Sequence, residues 1–315
     1  MGFAGDQERA PAAPTTTPTS GGPSAARRWA WGYMLLLPAL VFVGLVILYP
    51  VVSALVGSVT DSGSLVAGEG QTSFVGVKHY RTMFADPVFW TSFKNNLIIL
   101  VSIPLRILLG LLIVQVLYKG IFASKWYQTV VFLPFIAPIA GIGIIFIYVL
   151  NQSGPFNAFL SAVGLGGLST GWLTNQAVTM WTIMGVVLWT RLGFTVLLFM
   201  VRLLGVDRQV FQAAFVDGAT WREAFWRIGV PELKGTIEFV ALLGFIEAFS
   251  WSFAYVFVLA QGAFRTSSWI LEIYLYDRGF RGLTTGVASA VAVFLFLLAG
   301  LVALYRYRRA RAELV

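Results

Sequence analysis

The sequence predicts an all-α integral membrane protein with six transmembrane helices and one long, structured loop on the cytoplasmic side. Three observations carry that reading. The 315 residues are 58% hydrophobic and only 11% charged, where a soluble domain carries about 25% charged residues. The apolar residues fall into six runs, each near the roughly 20 residues that cross a bilayer as a helix. The basic residues fall mainly on one side of those runs, as orientation in a membrane requires.

Residues 1–28 are expected to form a disordered cytoplasmic tail. They are rich in Pro, Thr, Ser, Ala and Gly and have no apolar period. A cleaved signal peptide does not fit, because the first apolar run starts late and exceeds the roughly 7–15 residues of such a core. Residues 29–305 form the predicted six-helix domain. Its spans are Tyr33–Val59, Asn96–Leu117, Tyr127–Leu150, Val178–Val201, Ile237–Leu259 and Gly286–Tyr305. Pro38, Pro50, Pro104, Pro134 and Pro138 lie inside them, which a membrane helix tolerates when neighbours satisfy the freed carbonyls. Residues 306–315 close the chain as a basic cytoplasmic tail, expected at anionic headgroups.

With the N-terminus inside, 14 of the 22 Lys and Arg fall in cytoplasmic pieces and 6 in external ones. The remaining two, Arg106 and Arg191, lie within spans. This bias places both termini in the cytoplasm. Trp29, Trp31, Trp90, Trp126 and Trp172 fall near span ends, where interfacial aromatics collect. The net charge of +8 is accounted for by this topology, so no nucleic-acid partner is expected. There is no cysteine and a single histidine, His79. Thiolate and multi-His metal sites are therefore excluded; no metal or catalytic residue is assigned.

The connection 202–235 (RLLGVDRQVFQAAFVDGATWREAFWRIGVPELKG) is too long and too well punctuated for a simple loop. Asp207 can cap a helix over Arg208–Val216. Gly218 breaks it. Thr220 and Glu223 have capping-box spacing for a second helix. Trp221, Ala224, Phe225 and Ile228 share a face of that helix, and Pro231 ends it. Two readings are open. Trp221 and Phe225 could fill a groove on a partner, or the pair could lie on headgroups or fold under the bundle.

Gln212-Ala-Ala-Phe-Val-Asp-Gly-Ala219, followed by Phe225, Ile228 and Pro231, resembles the EAA loop of ABC importer permeases. The resemblance implies the type I importer permease fold. It implies Gln212, Ala213, Ala214, Asp217, Gly218 and Ala219 as a coupling helix that docks on an ATPase subunit, with Trp221 and Phe225 beside it. Gln212 stands where the family usually has Glu, which turns an ion pair into a neutral hydrogen bond. Val230 replaces the Leu before Pro231. Phe74–Tyr80, Asp86–Trp90, Tyr127–Pro134, Gly154–Leu160 and Gly286–Ala290 resemble segments of carbohydrate-uptake permeases. The family's Gly-rich turn after the fifth span is only partly matched, by Gln261-Gly262-Ala263.

Such a relative implies four partners: a second, homologous permease, an ATP-binding cassette ATPase dimer, an extracytoplasmic substrate-binding protein and a carbohydrate-like solute, all at a lipid membrane. The chain itself lacks a phosphate-binding P-loop, since none of its five lysines follows a glycine. ATP and Mg are accordingly expected on the partner ATPase and no cofactor on this chain.

Charges inside spans default to functional candidates. Arg191, Arg106 and Glu247 are such charges. Glu247, Trp251 and Tyr255 recur at i, i+4 and i+8 along one helix face. With Trp189 and Asn96 they form a candidate path for a hydroxylated solute. The alternative is that Arg191 and Glu247 form a structural ion pair. The expected function is a permease subunit of an ATP-driven importer for a sugar or related polar solute, working by alternating access. An ATP-independent secondary transporter or channel is the alternative; it would leave the 202–235 loop unexplained.

Overall fold

The computed structural model describes residues 25–61, 73–120, 124–260, 266–282 and 284–312. The chain divides into two units, Met1–Val52 and Ser53–Val315. Described residues of the first unit begin with helix α1 (Ala25–Val43), four residues ahead of the predicted boundary at Trp29. A π turn, Gly44–Leu48, joins α1 to α2 (Tyr49–Gly57). The wider turn relieves the clash that Pro50 would make with a carbonyl one α turn earlier.

The second unit begins within α2 and continues into a short hairpin, the only β-structure among the described residues. Thr60–Asp61 (β1) pairs antiparallel with Ser73–Phe74 (β2). Helix α3 (Lys78–Ala85) follows. Helices α4 (Pro87–Leu100) and α5 (Ser102–Tyr118) together make a 32-residue apolar helix. It starts nine residues before the predicted Asn96. The cause is local: the Asp86 carboxylate accepts from Val88 N–H at 2.9 Å, and Pro87 occupies the first turn, where its missing N–H costs nothing.

The predicted third span is not straight. Helices α6 (Ser124–Ile136) and α7 (Ile139–Val149) meet at 98°. Pro138 disfavours helical backbone at Ala137 and then caps α7 with an extended ψ of 134°. Pro134, by contrast, sits inside α6. After α8 (Pro155–Ala162), helix α9 (Thr179–Leu204) forms the central post. Both core clusters meet on it. One gathers Phe89, Ile183, Val187, Ile270, Tyr274 and Val291; the other gathers Leu111, Val114, Phe199, Leu203, Phe225 and Leu233.

The predicted two-helix loop follows as α10 (Arg208–Val216) and α11 (Trp221–Ala224). Pro231 does not end the second helix. A π turn over Phe225–Gly229, closed by Val230 N–H on Phe225 O, leads into α12 (Val230–Glu232), with Pro231 in its first turn. Lengthening the turn removes the carbonyl that proline would have struck.

Helices α13 (Lys234–Ser250) and α14 (Ser252–Leu259) replace the straight fifth span with a 50° bend at Trp251. Gln261–Ala263 lie outside the described residues. Then come α15 (Leu271–Tyr276), a π turn over Asp277–Arg281 and α16 (Thr285–Ala312). The basic C-terminal tail continues this last helix, and Arg306 donates to Glu238 at 2.5 Å. Among the described residues four unbroken helices are long and apolar enough to span a membrane; six result if each bent pair is one span.

Candidate functional site

Two places in the molecule gather the sequence-predicted residues. The first is the loop after α9. Asp207 caps α10 by accepting from Gln209 N–H at 2.9 Å. The turn that follows needs φ = +85° at Gly218, a left-handed value that a side chain disfavours. Thr220 and Glu223 complete the capping box: Glu223 N–H donates to Thr220 Oγ1, and Thr220 N–H to Glu223 Oε2 at 2.9 Å. The backbone and hydroxyl donors of Thr220 hold the Glu223 carboxyl below its ordinary value.

Phe211, Trp221 and Phe225 turn toward the bundle. Trp221 Nε1–H donates to the carbonyl of Gln115 at 2.9 Å. Its ring stacks on Tyr118 at 5.8 Å, with Phe211 and Phe225 at 5.9 and 6.1 Å. Phe225 is 0% exposed. The Phe225 ring is therefore closed to a partner, while the half-buried Trp221 ties the loop to α5. Among the residues that the loop presents outward are Gln212, Ala213, Phe215, Val216, Asp217 and Gly218. Val216, at the end of α10, is 87% exposed. Ala214 and Ala219 are half-buried behind this edge. A cavity of about 390 Å³ lies between α10 and the bundle, bounded by Tyr118, Phe211, Gln212 and Trp221.

The second place is a charged cluster inside the helix core. Glu247 on α13 faces two arginines. Arg106 on α5 donates from Nη1 to Oε2 at 2.8 Å, and Arg191 on α9 stands 3.5 Å from Oε1. The predicted pairing of Arg191 with Glu247 is thus the longer of two contacts; the hydrogen-bonded partner is Arg106. Arg106 also donates from Nη2 to Val240 O at 3.1 Å. Gly244 makes this possible: a Cβ there would overlap the Arg106 guanidinium. Arg191 lies against the rings of Phe135, Trp251 and Tyr255 at 5.7–5.8 Å. Trp251, at the bend, is 62% exposed, whereas Tyr255 is buried.

Two residues assigned to the path lie elsewhere. Asn96 is a buried clasp. Its Nδ2 donates to Ala248 O at 2.6 Å and to Glu272 Oε2 at 3.1 Å, and Leu271 N–H donates to its Oδ1 at 2.8 Å. Asn95 does the same work beside it, donating to Ser267 O and Trp269 O. Trp189 packs edge-on against Phe146 and borders an apolar cavity of about 460 Å³ with Trp172 and Trp181. Two residues rotate an α-helix by about 200°, so Trp189 and Arg191 point to nearly opposite faces of α9 and do not share one site.

Glu272 escaped the sequence reading. It is nearly fully buried, and burial pushes its carboxyl up to about 7 against the opposing hydrogen bond from Asn96. Nothing in its short apolar segment signals a buried acid. Asp86 was read only as part of a family segment. Burial would raise its carboxyl, but Val88 N–H, Tyr274 O–H and the Arg278 guanidinium hold it below the ordinary value. The Tyr274 hydroxyl is in turn pushed up to about 12 by burial and by its bond to Asp86.

No family model matches the chain. A probable ABC transporter permease protein of Pyrococcus horikoshii is 30% identical over 286 residues, covering 89% of this chain and 96% of that protein. The lactose transport system permease protein of Rhizobium radiobacter is 26% identical over 292 residues, covering 89% and 94%. In structure, a chain of a bacterial ABC transporter involved in the import of the acidic polysaccharide alginate aligns with a TM-score of 0.75 at 22% identity, covering 91% of this chain and 96% of that one.

Proposed function

The chain belongs to the ABC transporter permeases, and on that premise we propose that it is the permease subunit of an ATP-driven importer for a sugar or related polar solute. The observation that carries this reading is the loop after α9: a capped helix whose outer edge is bare and whose inner aromatics are fixed to the bundle. Relatives are named for lactose transport and for multiple-sugar transport.

The mechanism follows from how the loop is attached. Closure of a partner ATPase pair would push on α10 through Gln212, Ala213, Val216, Asp217 and Gly218. Helix α10 continues from α9, which carries Arg191. Trp221 grips Gln115 on α5, which also carries Arg106, nine residues and about 13 Å away along the helix. A displacement of the loop therefore reaches both arginines that hold Glu247. Helix α13 bends four residues after Glu247, at Trp251. Rocking of α5 and α9 against that bend would open the core alternately to each side. Both termini and the loop would be cytoplasmic, as the basic residues favour. A second permease completes the pathway, a substrate-binding protein delivers the solute, and ATP and Mg act on the ATPase.

Co-expression with candidate ATPase, permease and binding-protein chains tests this. Co-purification and solute-stimulated ATP hydrolysis support it; transport by this chain without any nucleotide-binding subunit contradicts it.

A further inference from the structure

Arg191 is the more loosely held of the two arginines in the core cluster. Arg106 donates to Glu247 at 2.8 Å and to Val240 O at 3.1 Å, while its buried Nε has no hydrogen-bond partner among the described residues. Arg191 stands 3.5 Å from Glu247, beyond the roughly 2.7–2.9 Å of a charge-assisted hydrogen bond. Among the described residues its guanidinium donates no hydrogen bond. It nevertheless carries five N–H donors in a fixed fork. Two arginines face one carboxylate, so the cluster holds one positive charge more than it cancels. The Arg191 side chain is 11% exposed, so the charge is largely withdrawn from water and a counter-charge beside it is weakly screened. Aromatic rings line the approach. Phe135 and Tyr255 form two walls, and the exposed ring of Trp251 forms the third.

We infer that Arg191 receives an anionic group of the transported solute, a carboxylate, sulfonate or phosphate, while Trp251 offers a stacking face to its sugar ring. The solutes are then acidic saccharides. This rests on the importer reading above. A neutral hydroxyl could accept one N–H from Arg191 but would leave the surplus charge in place. An anion takes two donors of the fork and cancels that charge together. Glu247, already engaged by Arg106, keeps its own hydrogen bond when the anion arrives. The other source of a counter-charge is an acidic side chain of a second permease subunit, and the test separates the two.

The full complex, with ATPase, second permease and binding protein, is reconstituted in proteoliposomes. ATP-driven uptake is measured for matched probes: methyl glucoside against methyl glucuronide, and maltotriose against trigalacturonate. The expected result is uptake of the acidic members in preference to the neutral ones. Arg191→Gln should raise KM for the acidic probes about tenfold or more, the loss of one strong contact, and Arg191→Lys should recover part of it. Uptake of the neutral members alone overturns the inference and leaves the importer reading standing. An unchanged KM for the acidic probes in Arg191→Gln also overturns it. If Arg191→Gln fails to assemble, the wild-type selectivity and the charge-retaining Arg191→Lys variant still decide. No ATP-driven uptake of any probe removes the importer reading and this inference with it.

Discussion

The indole N–H of Trp221 donates to the carbonyl of Gln115 at 2.9 Å, joining the loop after α9 to the end of α5 across 106 residues of chain. Removing the donor while keeping most of the ring separates attachment from packing. Trp221→Phe should cost about 1 kcal/mol for the lost hydrogen bond and reduce solute-stimulated ATP hydrolysis in part. Trp221→Glu should insert in the membrane normally yet abolish that stimulation. ATPase assays on purified complexes, with membrane abundance as control, check both.

Gly218 sits at φ = +85° between α10 and α11. Gly218→Ala should strain the turn by about 1 kcal/mol and Gly218→Pro by more. The space around it is open, so the effect must come from the backbone and not from a clash. Gly218→Asn, which tolerates the left-handed region, should keep most coupling. An Ala variant as active as wild type would show that the turn geometry does not matter.

Within the core, Glu247 answers Arg106 and Arg191 together. Glu247→Gln should therefore reduce folded protein strongly, since breaking a buried pair from one side costs about 3–5 kcal/mol. Arg106→Met combined with Glu247→Met should recover part of that abundance. Detergent-resistant, monodisperse protein is the readout. Equal loss in the single and double variants would contradict a coupled pair.

Glu272 gives a pH dependence with a definite sign. Its carboxyl in the folded protein titrates near 7, above the ordinary 4.5. Between those values the folded protein keeps a proton that the unfolded chain has released. Stability should therefore fall as pH rises from about 4.5 through 7 and level off above. Glu272→Gln should flatten the profile, as Tm against pH in detergent would report.

The apolar runs, the helix at Arg208–Val216, its caps and the Gly218 break were legible because short-range rules set them. The bend at Ala137–Pro138 was not read, because a proline within an apolar run is compatible with both a straight and a broken helix. Pro231 was misread for a related reason: the π turn before it depends on how Phe225 and Gly229 pack against Leu203 and Phe211, contacts far off in sequence. The charges Arg191 and Glu247 announced themselves by being costly in lipid. That Arg106 is the closer partner depends on Gly244 leaving room for it, which no spacing rule encodes. Asn96 was placed on the path by composition, but its three hydrogen bonds show a clasp between α4, α13 and α15.

The central claim is that the bare edge of α10 is gripped by a separate ATPase. The chain has no cysteine, so Val216→Cys is a unique thiol at a highly exposed point of that edge. Short bifunctional cross-linking of the assembled complex from this thiol should capture the ATPase subunit, with protection from a bulky maleimide. A thiol that stays fully reactive in the assembled, ATP-hydrolysing complex and captures no ATPase would contradict the account.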